Sequence, residues 1–302
     1  MSRWLTRVVL GLGVVIGVLV VTLVILSGRH PVAPSATPTP TPGLDQALLS
    51  RRVTFLVVGT DQNATRKATG EPALTDSMIV VSINAAHTKM TMISVPRDSV
   101  SIPLQGGGTW RSKLNALYSQ LGMDALRGAL DTLLGTKIDF TLLVNMDDFA
   151  RVVDAFGGID LTVPATIVDP SIGLKIGAGK HHLDGQQALL YCRSRHTTDD
   201  FDRAARQQLV LRALLARFVA PNVKIDLARL VASLGSLQTD IGADMLPTLA
   251  ELARRSRAAA VTDEVLTPPR FYVVDSDPSL GYVLRPKLAA IRAFAEPLLT
   301  GP

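Results

Sequence analysis

Hydrophobic positions change their pattern twice along the 302 residues. Val8–Ser27, VVLGLGVVIGVLVVTLVILS, carries no charge for about twenty residues, the length at which a helix spans a hydrocarbon core. A cleaved signal peptide would have a shorter apolar stretch and a small-residue cleavage site, which does not follow Ser27. Residues 8–27 therefore predict a transmembrane helix. His30–Gly43, HPVAPSATPTPTPG, has prolines that forbid helix and too few apolar positions for a core, so 28–43 predicts an extended linker. From Leu44 the pattern becomes one of short apolar runs and helical spacings, predicting a folded domain over 44–302.

Within that domain Val53–Gly59, Ser77–Ile83 and Met90–Val95 are almost continuously apolar, which marks strands covered on both faces. Helices are predicted over Lys113–Gln120, Met123–Leu134 and Asp147–Phe156, and strands at Phe140–Val144 and Ile159–Val163. Pro164–Lys180 predicts a loop, Gly185–Leu190 a short helix, and Phe201–Val219 a longer helix that Asp199 or Asp200 can cap. Helices over Leu227–Leu237, Leu246–Ala260 and Lys287–Leu299 and a strand at Phe271–Val274 complete the reading. Strands and helices mixed in this order argue an α/β sandwich with one central sheet.

Composition narrows the picture. Hydrophobic residues make up 47% of the chain, enough for a large core, and the single cysteine, Cys192, excludes an intrachain disulfide and a cysteine-based metal cluster. The net charge is +5, yet three of the 31 lysines and arginines lie in the first 43 residues with no acid beside them. The remaining 28 face 26 acids, which argues against nucleic acid as a partner. Arg3 and Arg7 precede the apolar span and Arg29 follows it, so the positive-inside bias expects residues 1–7 in the cytoplasm. The chain is then a single-pass protein of the cell membrane with its domain outside.

Candidate chemistry gathers where strands end. VVGTD delivers Asp61, LTDSMIV enters its strand through Asp76, and ISVPRDS leaves through Arg97 and Asp98. Open α/β sheets hold ligands at such ends, although an aspartate can also simply cap a turn. Asp61 and Asp76 are plausible ligands for Mg2+, which takes few carboxylates and completes its shell with water and phosphate oxygens. Arg193 and Arg195, if extended, share one face; Arg203, Arg206 and Gln207, if helical, share one stripe. Guanidinium forks match pyrophosphate oxygens, whereas the alternative is a solvated ion network with Asp199, Asp200 and Asp202. Gly106–Gly108 lacks the ending of a phosphate loop, and His181–His182 lacks further ligands at zinc spacing.

The blocks FLVVGTD, TDSMIVVSI, ISVPRDS, KLNALY, DAFGGIDLTV, LDGQQALLYCRSR and DFDRAARQQ, in that order behind one apolar anchor, resemble the LytR-CpsA-Psr family of bacterial envelope proteins. The resemblance covers Val53 to Phe218. It implies an α-β-α sandwich with a central mixed sheet. It also implies a Mg2+-dependent phosphotransferase that moves a glycopolymer from a polyprenyl-pyrophosphate carrier onto peptidoglycan, with the lipid in an apolar groove. By the same resemblance Asp61 and Asp76 would hold the metal. Arg97, Arg193, Arg195, Arg203, Arg206 and Gln207 would surround the phosphates, and Asp98 would activate the attacking hydroxyl. One departure stands out: the family pattern R-[ST]-D-[ST] reads Leu74-Thr75-Asp76-Ser77 here. The phosphate contact expected there is missing unless Arg66 or Lys67 supplies it. Two other readings use the same arginines, a nonenzymatic receptor for anionic envelope lipid or polymer and a polyprenyl-pyrophosphate hydrolase.

Overall fold

A computed structural model describes residues 43–195, 199–218 and 238–301. The predicted transmembrane helix over 8–27, the cytoplasmic tail, the linker up to residue 42 and the predicted helix at Leu227–Leu237 lie outside the described residues. Among those described, no helix is long and apolar enough to cross a membrane.

In chain order the elements are α1 (Gln46–Leu49), β1 (Val53–Thr60), α2 (Ala64–Ala68), β2 (Thr75–Ile83), β3 (Lys89–Ser94), β4 (Ile102–Pro103), β5 (Thr109–Trp110), α3 (Leu117–Leu134), β6 (Phe140–Val144), α4 (Met146–Ala155) and β7 (Ile159–Val163). They continue with β8 (Ile167–Asp169), β9 (Leu174–Ile176), β10 (Gly179–Leu183), α5 (Gly185–Arg193), α6 (Asp200–Phe218), β11 (Gln238–Thr239), α7 (Leu246–Arg255), β12 (Ala260–Val265), β13 (Tyr272–Asp277), β14 (Gly281–Pro286) and α8 (Leu288–Thr300). The central sheet runs β11-β6-β1-β2-β3-β12. It is mixed: β1 pairs parallel with β6 and β3 with β12, whereas β2 is antiparallel to both β1 and β3.

Side chains alternate along each strand and so feed two cores. Phe55, Ile79, Val81 and Leu142 pack against α4, α5, α6 and α7. Leu56, Val58, Met78 and Val80 pack against α3 and α8 on the other face. Both faces of β1 and β2 are covered, which is why their sequences lack polar alternation.

Three expectations change. Pro164–Lys180 is not a loop: β8 pairs with β9, and β10 pairs with β7. Those strands bury only alternate residues over three to five positions, too short for a period to declare itself. The helix expected through Ala260 stops at Arg255, and β12 follows it to add an edge to the sheet. The strand at Phe271–Val274 belongs to a hairpin whose second arm, β14, was not anticipated. The break expected between helices near residue 121 is real, since Gly122 takes φ 83° inside α3.

Candidate active site

The topology brings distant residues to one sheet edge. Because β1, β3 and β6 end there and the antiparallel β2 begins there, Asp61, Asp76, Arg97 and Asn145 emerge side by side. Gly59 permits the closest approach: a Cβ on it would lie 3.1 Å from the Ser77 Cβ.

Beneath that edge a cavity of about 460 Å³ runs between the sheet and α4–α6. Its inner wall is apolar, with Val57, Ile79, Leu142, Phe149, Leu189 and Leu214. At the charged end stand Asp61, Asp76, Arg66, Arg97, Arg193 and Arg195, with Arg203 and Gln207 beside them. On α6 the lining residues Arg203, Gln207, Leu211 and Leu214 recur every three or four positions, so one helical stripe passes from polar to apolar. Asp199 starts that helix by accepting the N–H groups of Phe201 at 2.9 Å and Asp202 at 2.8 Å.

Arginines and carboxylates interlock at this end. Arg97 Nη1 donates to Asp76 Oδ1 at 2.5 Å and its Nε to Asp200 Oδ2 at 2.9 Å. Burial works against the Arg97 charge, but Asp76, Asp200 and Asp98 outweigh it and raise its pKa. Arg203 is buried, and burial lowers its pKa to about 10, with Asp200 opposing and Arg97 assisting. It therefore stays cationic at neutral pH. Its Nη2 donates to the Asp76 carbonyl and to Asp200, both at 3.3 Å. Arg195 Nε reaches the other Asp200 oxygen at 3.3 Å.

Asp61 accepts the Leu74 N–H at 3.0 Å and pairs with Arg66 Nη1 at 2.8 Å. Burial is the largest influence and raises its pKa; the Leu74 N–H and Arg66 oppose this, and the nearby Asp76 charge adds to it. Leu74 thus serves through its backbone. Arg66, carried by α2, brings a guanidinium into the cavity, whereas Lys67 is exposed and does not line it.

Three residues sit differently from their sequence-based assignments. Arg193 closes α5 rather than lying in an extended segment, because the capping box at Asp184 and Gln187 starts a helix that runs on to it. Arg206 does not line the cavity. It is buried, donating from Nε to the Tyr191 carbonyl at 3.2 Å and from Nη2 to the Ser194 carbonyl, which satisfies the end of α5. One step along the helix from Gln207 turns a side chain by ~100°, which accounts for the different surroundings. Asp98 is buried beside the cavity rather than in it; Lys113 Nζ lies 2.7 Å from its Oδ1 and Arg97 Nε 3.6 Å from its Oδ2.

Two positioning residues were not among the candidates from the sequence. Asp169, buried on β8, accepts the Ser194 hydroxyl at 2.9 Å and the Arg195 N–H at 3.2 Å, fixing the arginine segment. Gln208 ties α6 to the sheet through Ser94 Oγ at 2.9 Å and the Glu264 carbonyl at 2.8 Å.

The sequence matches the LytR_cpsA_psr family over residues 34–273, most of its length, and the chain belongs to that family. It is 36% identical over 182 residues to TagV of Bacillus subtilis, named polyisoprenyl-teichoic acid–peptidoglycan teichoic acid transferase, covering 57% of this chain and 46% of that protein. It is 31% identical over 194 residues to regulatory protein MsrR of Staphylococcus aureus, covering 63% and 57%. The chain thus spans about half the length of the curated relatives it matches. The crystal structure of B. subtilis TagV is similar at TM-score 0.65 and 26% identity, over 84% of this chain and 99% of that one. TagT bound to LIIa-WTA shares the fold at TM-score 0.64 and 20% identity, over 83% and 90%.

Proposed function

We propose that this protein transfers a cell-wall glycopolymer from a polyprenyl-pyrophosphate carrier to a peptidoglycan hydroxyl. One observation carries the reading: a single cavity joins an apolar interior to a cluster of arginines, the shape of a lipid with an anionic head group. The name of the TagV relative, a transferase acting between teichoic acid and peptidoglycan, supports the same class of reaction.

Phosphoryl transfer asks a protein for position and for positive charge on nonbridging oxygens. Arg97, Arg195 and Arg203 hold the phosphates, exchanging Asp200 for the incoming anion, and Arg66 takes the place left by Leu74. Arg193 and Gln207 complete the wall. Asp98 receives the acceptor proton.

Asp61 and Asp76 suit Mg2+. They line one cavity mouth, and the Asp76 charge is among the influences that raise the Asp61 pKa. Magnesium takes few protein carboxylates, so these two would hold it and water and phosphate oxygens would complete its shell. Bound there, Mg2+ would neutralise charge developing on the pyrophosphate. The apolar Val8–Ser27 segment tethers the domain outside the membrane that carries the donor lipid.

Incubating the chain with a polyprenyl-pyrophosphate glycan, magnesium and peptidoglycan is expected to release polyprenyl phosphate, and Asp76→Ala to abolish turnover. Equal turnover in the two removes the metal assignment. Mass analysis separates a transferred product from a hydrolysed one, and binding without phosphate release would indicate a receptor.

A further inference from the structure

A second cavity, of about 340 Å³, adjoins the first across Arg97 and Arg203. The two share Asp76, Ser77, Arg97, Arg203 and Gln207, so one wall of side chains serves both. The rest of its lining is mostly apolar, from Met78, Val95, Phe201, Val265 and Leu284, with a polar minority. Asp98, Asp199 and Asp200 contribute carboxylates, and Tyr282 on β14 contributes an aromatic ring that is 47% exposed. Tyr282 lines this cavity together with the three acids, and burial first and then their charges raise its pKa. In the shared wall Arg203, only 4% exposed, has an Nε with no hydrogen-bond partner among the described residues.

We propose that this second cavity binds the acceptor, a neutral pyranose of the peptidoglycan glycan, stacked on Tyr282 with its hydroxyls on Asp98 and Asp199. The inference rests on the transferase reading above. A pyranose offers an apolar C–H face and a rim of hydroxyl donors. An exposed aromatic ring meets the first, and carboxylates, which only accept, meet the second. Asp98 and Asp200 are paired with Lys113 and with Arg97, Arg195 and Arg203, so they add little uncompensated charge and keep oxygen lone pairs for a donor-rich neutral ligand.

The position also fits the displacement. In-line transfer requires the nucleophile to enter opposite the leaving group. Polyprenyl phosphate leaves toward the apolar cavity, so the adjoining one is the approach for the hydroxyl. The acceptor oxygen bonds to the glycan-bearing phosphorus, and the bond from that phosphorus to the bridging oxygen breaks. The bridging oxygen stays with polyprenyl phosphate, and the hydroxyl proton passes to Asp98, which lines the second cavity and not the first.

The test is binding of a soluble disaccharide-peptide fragment of peptidoglycan to the full chain, read by saturation-transfer NMR without turnover. Tyr282→Ala is expected to weaken binding about tenfold or more, and Tyr282→Phe, which keeps the ring, by less than about threefold. Asp199→Asn, which keeps the helix cap, is expected to weaken it as well. Thermal melting checks that each variant is folded. The same losses should appear as a raised KM for the acceptor with the KM for the donor unchanged. Equal binding by wild type and Tyr282→Ala overturns the subsite. A chain that transfers glycan with an unaltered acceptor KM in Tyr282→Ala also overturns it and leaves the transferase intact. A chain that binds the fragment through Tyr282 yet transfers nothing upholds the subsite and sinks the transferase reading.

Discussion

At position 74 a leucine stands where the family pattern carries an arginine, and the guanidinium of Arg66 reaches the same carboxylate neighbourhood from α2. A hydrogen bond to a charged group contributes about 1.5–3 kcal/mol, so Arg66→Ala is expected to lower kcat/KM for the donor by roughly ten- to a hundredfold. Adding Leu74→Arg to that variant should recover part of the loss; recovery of none would mean Arg66 does not stand in for the missing residue. Asp200 makes a pH test. Burial alone would raise its pKa, but Arg203, Arg97 and Arg195 depress it. A depressed carboxylate stabilises the fold above its unfolded pKa of about 3.9 and loses that contribution as pH falls through the lower folded value. The stability gap between wild type and Asp200→Asn, measured by denaturation, should hold from pH 7 to about 5 and shrink below 4. Asp61, Asp76 and Arg97 were legible as residues because each follows or opens an apolar run. Arg66 was legible as a stand-in for position 74 and Asp200 as a partner of the neighbouring arginines, but the bonds of Arg97 to Asp76 and Asp200, 21 and 103 positions away, were not, since folding alone brings those residues together.

Helices α5 and α6 work as a pair. α5 packs so closely on α4 that a Cβ at Gly185 would fall 2.0 Å from the Ala150 carbonyl oxygen. Gly185→Ala is therefore expected to destabilise the domain by about 1–3 kcal/mol. That corresponds to a fall of roughly 2–10 °C in Tm, with donor affinity dropping as α5 carries Arg193 out of place. Arg206 and Gln207 separate on the same logic. Arg206→Ala leaves the Tyr191 and Ser194 carbonyls without their donor, so Tm and donor binding should both fall, whereas Gln207→Ala should weaken donor binding with Tm nearly unchanged. Equal melting of the two variants would return Arg206 to the phosphate wall. Period alone placed both on one stripe; the C-terminal end of α5, packed against that stripe, decides which of them meets the cavity.

On the scale of the whole molecule the sandwich sets a lipid-shaped space beside a charged edge, and the two should fail separately. Leu189→Trp fills the apolar part of the cavity from a partly exposed position. It is expected to abolish binding of the polyprenyl-linked donor while inorganic pyrophosphate still binds, which titration with each ligand checks. The sequence by itself determined the core strands, because Val53–Gly59 and Ser77–Ile83 are apolar on both faces and can lie only inside a covered sheet. It also determined which strand ends carry acids and arginines. The β8–β9 hairpin, β12 and β14 came only from the tertiary structure, since short edge and surface strands bury too few residues to impress a period on the chain. The cavity and the division of labour among the arginines came from it too. A cavity is a property of packed layers, and whether a guanidinium meets a carbonyl, a carboxylate or open space depends on side chains brought together from a hundred residues away.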